Sequence, residues 1–139
     1  MATIIEETVV DAPAEEVWEA LRDFGAVHQR LAPGFVVDAH VDGDVREVTF
    51  ANGAVARELL VGRDEGARRL AYAVIESGLP LRHHNASASV VAEGAHRSRF
   101  VWVTDVLPDE VAPVVAGMMA QGIEVMRRTL SQPGASRAV

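Results

Sequence analysis

The chain has 139 residues, enough for one domain with a sizeable core, and its 49% hydrophobic and 24% charged residues are an ordinary globular balance. It contains neither cysteine nor lysine, since all thirteen basic residues are arginine, which excludes disulfides, thiolate metal sites, cysteine nucleophiles and Schiff-base chemistry. A formal net charge of −7 argues against a general nucleic-acid-binding surface, and no apolar run approaches membrane-spanning length.

The first residues, Met-Ala-Thr-Ile-Ile-Glu-Glu, lack the pattern of a signal peptide, so a cytoplasmic protein without membrane insertion is expected. Residues 3–10 are rich in β-branched side chains and read as a strand. Asp11-Ala12-Pro13 ends it and starts a helix. Pro13 suits the first turn, Glu15 and Glu16 favour the positive helix end, and Val17, Ala20, Leu21 and Phe24 form an apolar stripe with Trp18 beside it. A second short helix is expected over residues 26–31, ended by Pro33-Gly34.

Six strands separated by turn signals follow. They cover residues 35–41, 45–50, 54–61, 69–76, 81–92 and 96–107, and short hairpins of this kind build an antiparallel sheet. Pro108 leads to a last helix over residues 109–130, with Asp109 as its expected N-cap. Residues 1–131 then form a single domain, and residues 132–139, with Pro133-Gly134, a flexible tail.

Charge decides one register. A two-residue loop at Asn52-Gly53 would set Glu47 opposite Glu58. A three-residue loop, Ala51-Asn52-Gly53, instead pairs Arg46 with Glu58 and Glu47 with Arg57, and opposite charges across strands help. Arg46 travels with Val48 and Phe50, which points to Arg46–Glu58 as the inward pair, whereas Val55, Leu59 and Val61 travel with Arg57 and leave Glu47–Arg57 open as the alternative. On the next strand Leu70, Tyr72 and Val74 share a face. In the last hairpin a three-residue loop at residues 93–95 sets Ala86 opposite Trp102 and Ala88 opposite Phe100. His84 shares that face, and its neighbour His83 must point the other way.

On the last helix, Val111, Val114, Val115, Met118, Met119, Gly122, Val125, Met126 and Leu130 fall on one side. Glu110, Glu124, Arg127 and Arg128 fall on the other. Three methionines on one face suit either a core helix with gap-filling side chains or one wall of a ligand cavity.

The segment DAPAEEVWEALRDFGAVHQRLAPG, followed by Gly43 with Arg46, Glu58-Leu59-Leu60 with Asp64, Leu70-Ala71-Tyr72 and the strand carrying Trp102, resembles the START/Bet v1-like helix-grip superfamily. The likeness is to its polyketide cyclase/dehydrase-like branch and spans nearly all of residues 1–130. It implies an α+β fold, in which a curved seven-stranded antiparallel sheet wraps a long C-terminal helix, with two short helices between strands 1 and 2 and a hydrophobic cavity under the helix. His84 stands where such relatives often carry an aromatic side chain.

Two functions follow as expectations. In the first, the cavity binds a small hydrophobic molecule such as a lipid, polyketide or aromatic compound, without cofactor or metal. Arg46, Tyr72 and Trp102 would contact it, with Val48, Phe50, Ala86 and Phe100 as sheet wall and Val115, Met118, Met119, Gly122 and Met126 as helix wall. The first helix pair and the loop near residues 77–80 would form the entrance. In the second, the protein is a cyclase or aromatase-type enzyme in which His84 or Glu58 moves protons while Tyr72 and Arg46 stabilise an enolate. Each polar residue also has a plainer role open to it: His84 as a hydrogen-bonded core histidine, Arg46–Glu58 as a structural pair, Tyr72 as edge packing. His28, His40 and His96 show no metal-ligand spacing. The protein would be a monomer or a homodimer.

Overall fold

A computed structural model describes residues 2–132. The expected C-terminal tail lies outside the described residues from 133 onward. The elements run β1 (Ala2–Val10), α1 (Ala14–Arg22), a 3₁₀ turn (Phe24–Ala26) and a single π turn (Val27–Leu31), then β2 (Val36–Asp42), β3 (Val45–Phe50), β4 (Val55–Asp64), β5 (Arg69–Ser77), β6 (His83–Ala92) and β7 (Ser98–Leu107). A 3₁₀ turn (Asp109–Val111) leads into α2 (Ala112–Leu130).

The seven strands form one antiparallel sheet in the order β1-β7-β6-β5-β4-β3-β2. Register shifts between Val36 and Asp38, Arg57 and Glu58, and Leu60 and Gly62 mark irregularities that bend strands and increase local twist. The curled sheet buries its inner face against α1 and α2, which is how an antiparallel sheet with one apolar face avoids water. Phe100, Leu70, Val48, Val90 and Val106 are among its largest fully buried side chains.

The Asn52-Gly53 hairpin has the expected three-residue loop. Phe50 N–H donates to Ala54 O over 2.8 Å, and Gly53 takes the left-handed conformation at φ +89. Arg46 therefore pairs with Glu58, and Glu47 with Arg57.

The last hairpin differs from expectation. Its three-residue loop is Gly94-Ala95-His96, one residue later than expected and closed by Glu93 N–H donating to Arg97 O over 2.9 Å, so that Ala88 faces Trp102 and Ala86 faces Thr104. Arg99 draws the loop onto the sheet by bridging Glu93 at 2.9 Å and Glu7 at 3.2 Å. A slip of two residues keeps every side chain on its face, so the inward set survives the error.

The helices also depart in detail. The short second helix resolves into a tight 3₁₀ turn and one wider π turn. Asp109 lies within the 3₁₀ turn, and the N-cap position of α2 is Val111, with Pro113 in the first turn. Ile123 joins the buried face of α2, whereas Val114, expected inward, is 51% exposed. Trp18 is packing, as one plain reading of a helix indole suggests, but its N–H also donates to Glu65 Oε1 over 2.7 Å, and Arg22 meets the same carboxylate at 2.9 Å. These bonds tie α1 to the β4–β5 turn and hold the Glu65 carboxyl below its usual range, Arg22 contributing most and Trp18 next. No helix among the described residues is long and apolar enough to cross a membrane.

Candidate functional site

Between the concave sheet and α2 lies a cavity of about 320 Å³. Val48, Leu70 and Phe100 floor it from the sheet, and Val115, Met119 and Met126 roof it from α2. Buried Val27 and Leu31 close the side beneath the π turn, so the short helix forms wall rather than entrance. The exposed lining residues gather elsewhere. Asn52, Ala54 and Val55 come from the β3–β4 turn, Gly78 from the β5–β6 loop and Val114 from the start of α2, and together they mark the mouth.

The polar groups sit on the sheet wall. Arg46 and Glu58 are 7% and 6% exposed and face one another across β3 and β4. Arg46 Nε donates to Glu58 Oε1 over 2.7 Å, and Nη1 donates to the Phe24 carbonyl over 3.1 Å. The guanidinium carbon lies 4.0 Å from the centre of the Phe24 ring and 5.2 Å from that of Tyr72, within the range of cation–π attraction. One facing carboxylate, one backbone acceptor and two aromatic faces compensate an arginine that water has left.

Tyr72 Oη accepts the indole N–H of Trp102 over 3.1 Å. Burial, and next the Glu58 carboxylate, push the phenol well above its ordinary range, so it stays protonated. Because the indole nitrogen only donates, the Tyr72 proton is left to donate elsewhere.

His84 lies next to Tyr72, with ring centres 5.9 Å apart. Regular β5–β6 pairing ends at Tyr72–Ala86, and the Val74 N–H beyond it donates to His84 Nδ1 over 3.0 Å. A ring nitrogen that accepts carries no proton, so neutral His84 holds its proton on Nε2. Burial first, and His83 to a smaller extent, push its pKa down to about 4, which keeps it neutral at physiological pH.

The cavity thus brings together the residues expected at the site, apart from two. Ala86 is fully buried in the sheet and does not reach the cavity. Gly122 does not line it either. A Cβ there would lie 3.1 Å from Phe35 Cε2 and 3.2 Å from Trp102 Cζ3, so its missing side chain allows close contact of helix and sheet, not room for a ligand. Residues not anticipated at the site include Phe35, which packs edge-on against Phe50 at 5.5 Å, and Thr104, whose buried hydroxyl also lines the cavity. Leu79 and Leu81, leucines within a turn segment, line it near the mouth, and an apolar pair flanking Pro80 was the available signal. Among the described residues, no three His, Asp or Glu side chains form a group that could hold a metal ion.

A family model described as "Polyketide cyclase / dehydrase and lipid transport" matches residues 1–131. The chain belongs to the polyketide cyclase/dehydrase and lipid-transport family. Its fold is shared by a Thermobifida fusca protein solved by solution NMR, which is 28% identical with a TM-score of 0.77, covering 99% of this chain and 95% of that one. Truncated norcoclaurine synthase from Thalictrum flavum is 20% identical with a TM-score of 0.74, covering 94% of each chain. A START superfamily protein from Mycobacterium smegmatis is 14% identical with a TM-score of 0.73, covering 94% of this chain and 95% of that one. No curated protein matches. The neighbours agree on the helix-grip fold, and this member of the family fills its grip with the Arg46–Glu58, Tyr72–Trp102 and His84 groups.

Proposed function

We propose that the protein binds one small, mainly apolar molecule between the sheet and α2. The observation that carries this reading is the 320 Å³ cavity, mostly apolar on its sheet and helix walls, with polar groups at Arg46, Glu58, Tyr72, His84 and Thr104, Asn52 and Ser77 also in its lining, and a mouth at the surface. That is the usual make-up of a small-molecule pocket, and its volume is at the small end of the range. At ~30 Å³ per water of displaced liquid, it suits a compound of two or three fused rings or a short branched chain better than a full diacyl lipid. The family description, which includes lipid transport, is in keeping with such a cargo.

The test is titration with a neutral apolar dye, Nile red, against the protein and its Ala56→Leu variant. Ala56 is buried at the cavity wall and a larger side chain there takes up its volume. Saturable one-to-one binding that weakens strongly in Ala56→Leu, at unchanged folding, supports the reading. Equal binding by both proteins contradicts it.

A second reading is catalysis of the cyclase or dehydratase kind. It is favoured by Glu58, a carboxylate in the cavity that shares only one of its oxygens, Oε1, with Arg46 among the described residues. In that reading Glu58 is the base and Tyr72 with Arg46 the enolate-stabilising donors. His84, expected as a proton carrier, suits the role of base poorly, because Nδ1 is occupied by Val74 and Nε2 already bears the proton. Glu58→Gln abolishing turnover of a poly-carbonyl substrate, while that substrate still binds, would favour catalysis over simple carriage.

A further inference from the structure

We propose that Tyr72 and His84 form a pair of fixed hydrogen-bond donors that select a neutral apolar ligand bearing a carbonyl oxygen, such as an aryl ketone or a quinone. The inference rests on the binding function proposed above and names the chemistry of the ligand's polar end.

The argument starts from what each group is prevented from doing. Tyr72 Oη receives the Trp102 indole N–H, a group that can only donate, over 3.1 Å. The phenolic proton must therefore point to another acceptor, and no protein acceptor takes it among the described residues. His84 Nδ1 receives the Val74 N–H over 3.0 Å, which places the ring proton on Nε2. Among the described residues, no other residue accepts that proton. Both residues line the cavity, on adjacent strands, with ring centres 5.9 Å apart. Trp102 and the Val74 backbone act as positioning groups, since each consumes the acceptor capacity of its partner and leaves a donor facing the interior. A donor that lines an apolar cavity without an acceptor is costly, and a ligand oxygen removes that cost.

The charge balance of the wall decides between oxygen types. Among the described residues Arg46 is the one guanidinium lining the cavity, and its Nε and Nη1 are committed to Glu58 and the Phe24 carbonyl. A ligand carboxylate would bring a second anion beside Glu58, with a cation already shared. A carbonyl oxygen brings acceptor capacity and no net charge. It is also acceptor-only, matching two donors, where a ligand hydroxyl would add a further proton to be placed.

Three probes with one ring skeleton separate the possibilities: 2-acetylnaphthalene, 2-ethylnaphthalene and 2-naphthoate, titrated calorimetrically against the wild-type protein. The ketone is expected to bind roughly tenfold more tightly than the hydrocarbon, and the carboxylate more weakly than both. A carbon-13 label in the ketone then gives an infrared readout that needs no variant. The bound carbonyl stretch is expected below its position in hexane, as for a carbonyl accepting hydrogen bonds. In Tyr72→Phe the ketone-to-hydrocarbon affinity ratio should fall towards one and the stretch should move back towards the hexane value. Equal affinity of ketone and hydrocarbon for the wild type, with the stretch at its hexane position, overturns the donor pair while leaving the binding function intact. Tightest binding of 2-naphthoate overturns it in favour of an anion site at Arg46. Failure of all three probes to bind overturns the binding function and the donor pair together.

Discussion

Arg46 and Glu58 meet at 2.7 Å on the inner face of the sheet, opposite one another on β3 and β4, each less than a tenth exposed. A pair this far from water is costly to break from one side. Arg46→Met strands the Glu58 carboxylate, and Glu58→Leu strands the guanidinium. Either single change is expected to lower stability by ~3–5 kcal/mol. The double variant should recover much of that loss, because no unpaired charge remains and the new side chains are apolar. Urea unfolding of the four proteins as a double-mutant cycle reads the coupling. Strict additivity of the two losses would mean that the pair does not hold the wall as described.

Gly122 carries a prediction opposite in kind to that of a cavity residue. On propensity alone, replacing a mid-helix glycine with leucine should favour α2 by ~1 kcal/mol. The Phe35 and Trp102 rings stand 3.1 and 3.2 Å from where its Cβ would be. Gly122→Leu is therefore expected to wedge the helix off the sheet and destabilise the fold by ~1–3 kcal/mol. Thermal melts decide this. An unchanged or raised melting temperature with loss of dye binding would put Gly122 in the cavity after all.

His84 makes stability depend on acidity. Its pKa lies near 6.5 in an unfolded chain and at about 4 in the fold. The unfolded state therefore binds more protons between these values, so the contribution of neutral His84 is complete above about pH 6.5 and is lost as pH falls through about 4. The loss amounts to ~3 kcal/mol. Tyr72 and Glu58 share its wall and His83 is its chain neighbour, so the comparison should be against His84→Asn, whose side-chain oxygen can still accept the Val74 N–H. Urea midpoints measured from pH 7 to pH 4 are expected to fall more steeply for the wild type. Parallel profiles would rule out His84 as the source.

Much of this molecule can be read from its residues, for physical reasons. Turn signals such as Asp42-Gly43-Asp44 and Asn52-Gly53 delimit the strands, and the apolar side of residues 109–130 marks the gripped helix. The pairing of Arg46 with Glu58 followed from charge complementarity across one hairpin, because only one loop length avoids setting Glu47 against Glu58, whereas the inward side rested on Arg46 sharing a face with Val48 and Phe50. The last hairpin gave no such discriminator. Both candidate registers set an alanine against Trp102 and an apolar residue, Ala88 or Val90, against Phe100, and the bond from Glu93 to Arg97 that shifts the loop joins backbone atoms, which carry no side-chain pattern. Gly122 misled for a related reason, since a glycine on an apolar helix face reads equally as space and as close contact. The state of His84 was also hidden. It depends on the Val74 N–H, a backbone group released where β5–β6 pairing stops.

The central claim is that an apolar molecule sits between the sheet and α2. Isotope-filtered NMR of the protein with 2-ethylnaphthalene, its methyl groups assigned, tests this most directly. Intermolecular contacts are expected from the probe to the methyls of Val48, Leu70, Val115 and Met119, which line the cavity. Contacts confined to the exposed Ile5, Ile75 and Val91, or none at all at saturating probe, would contradict the account.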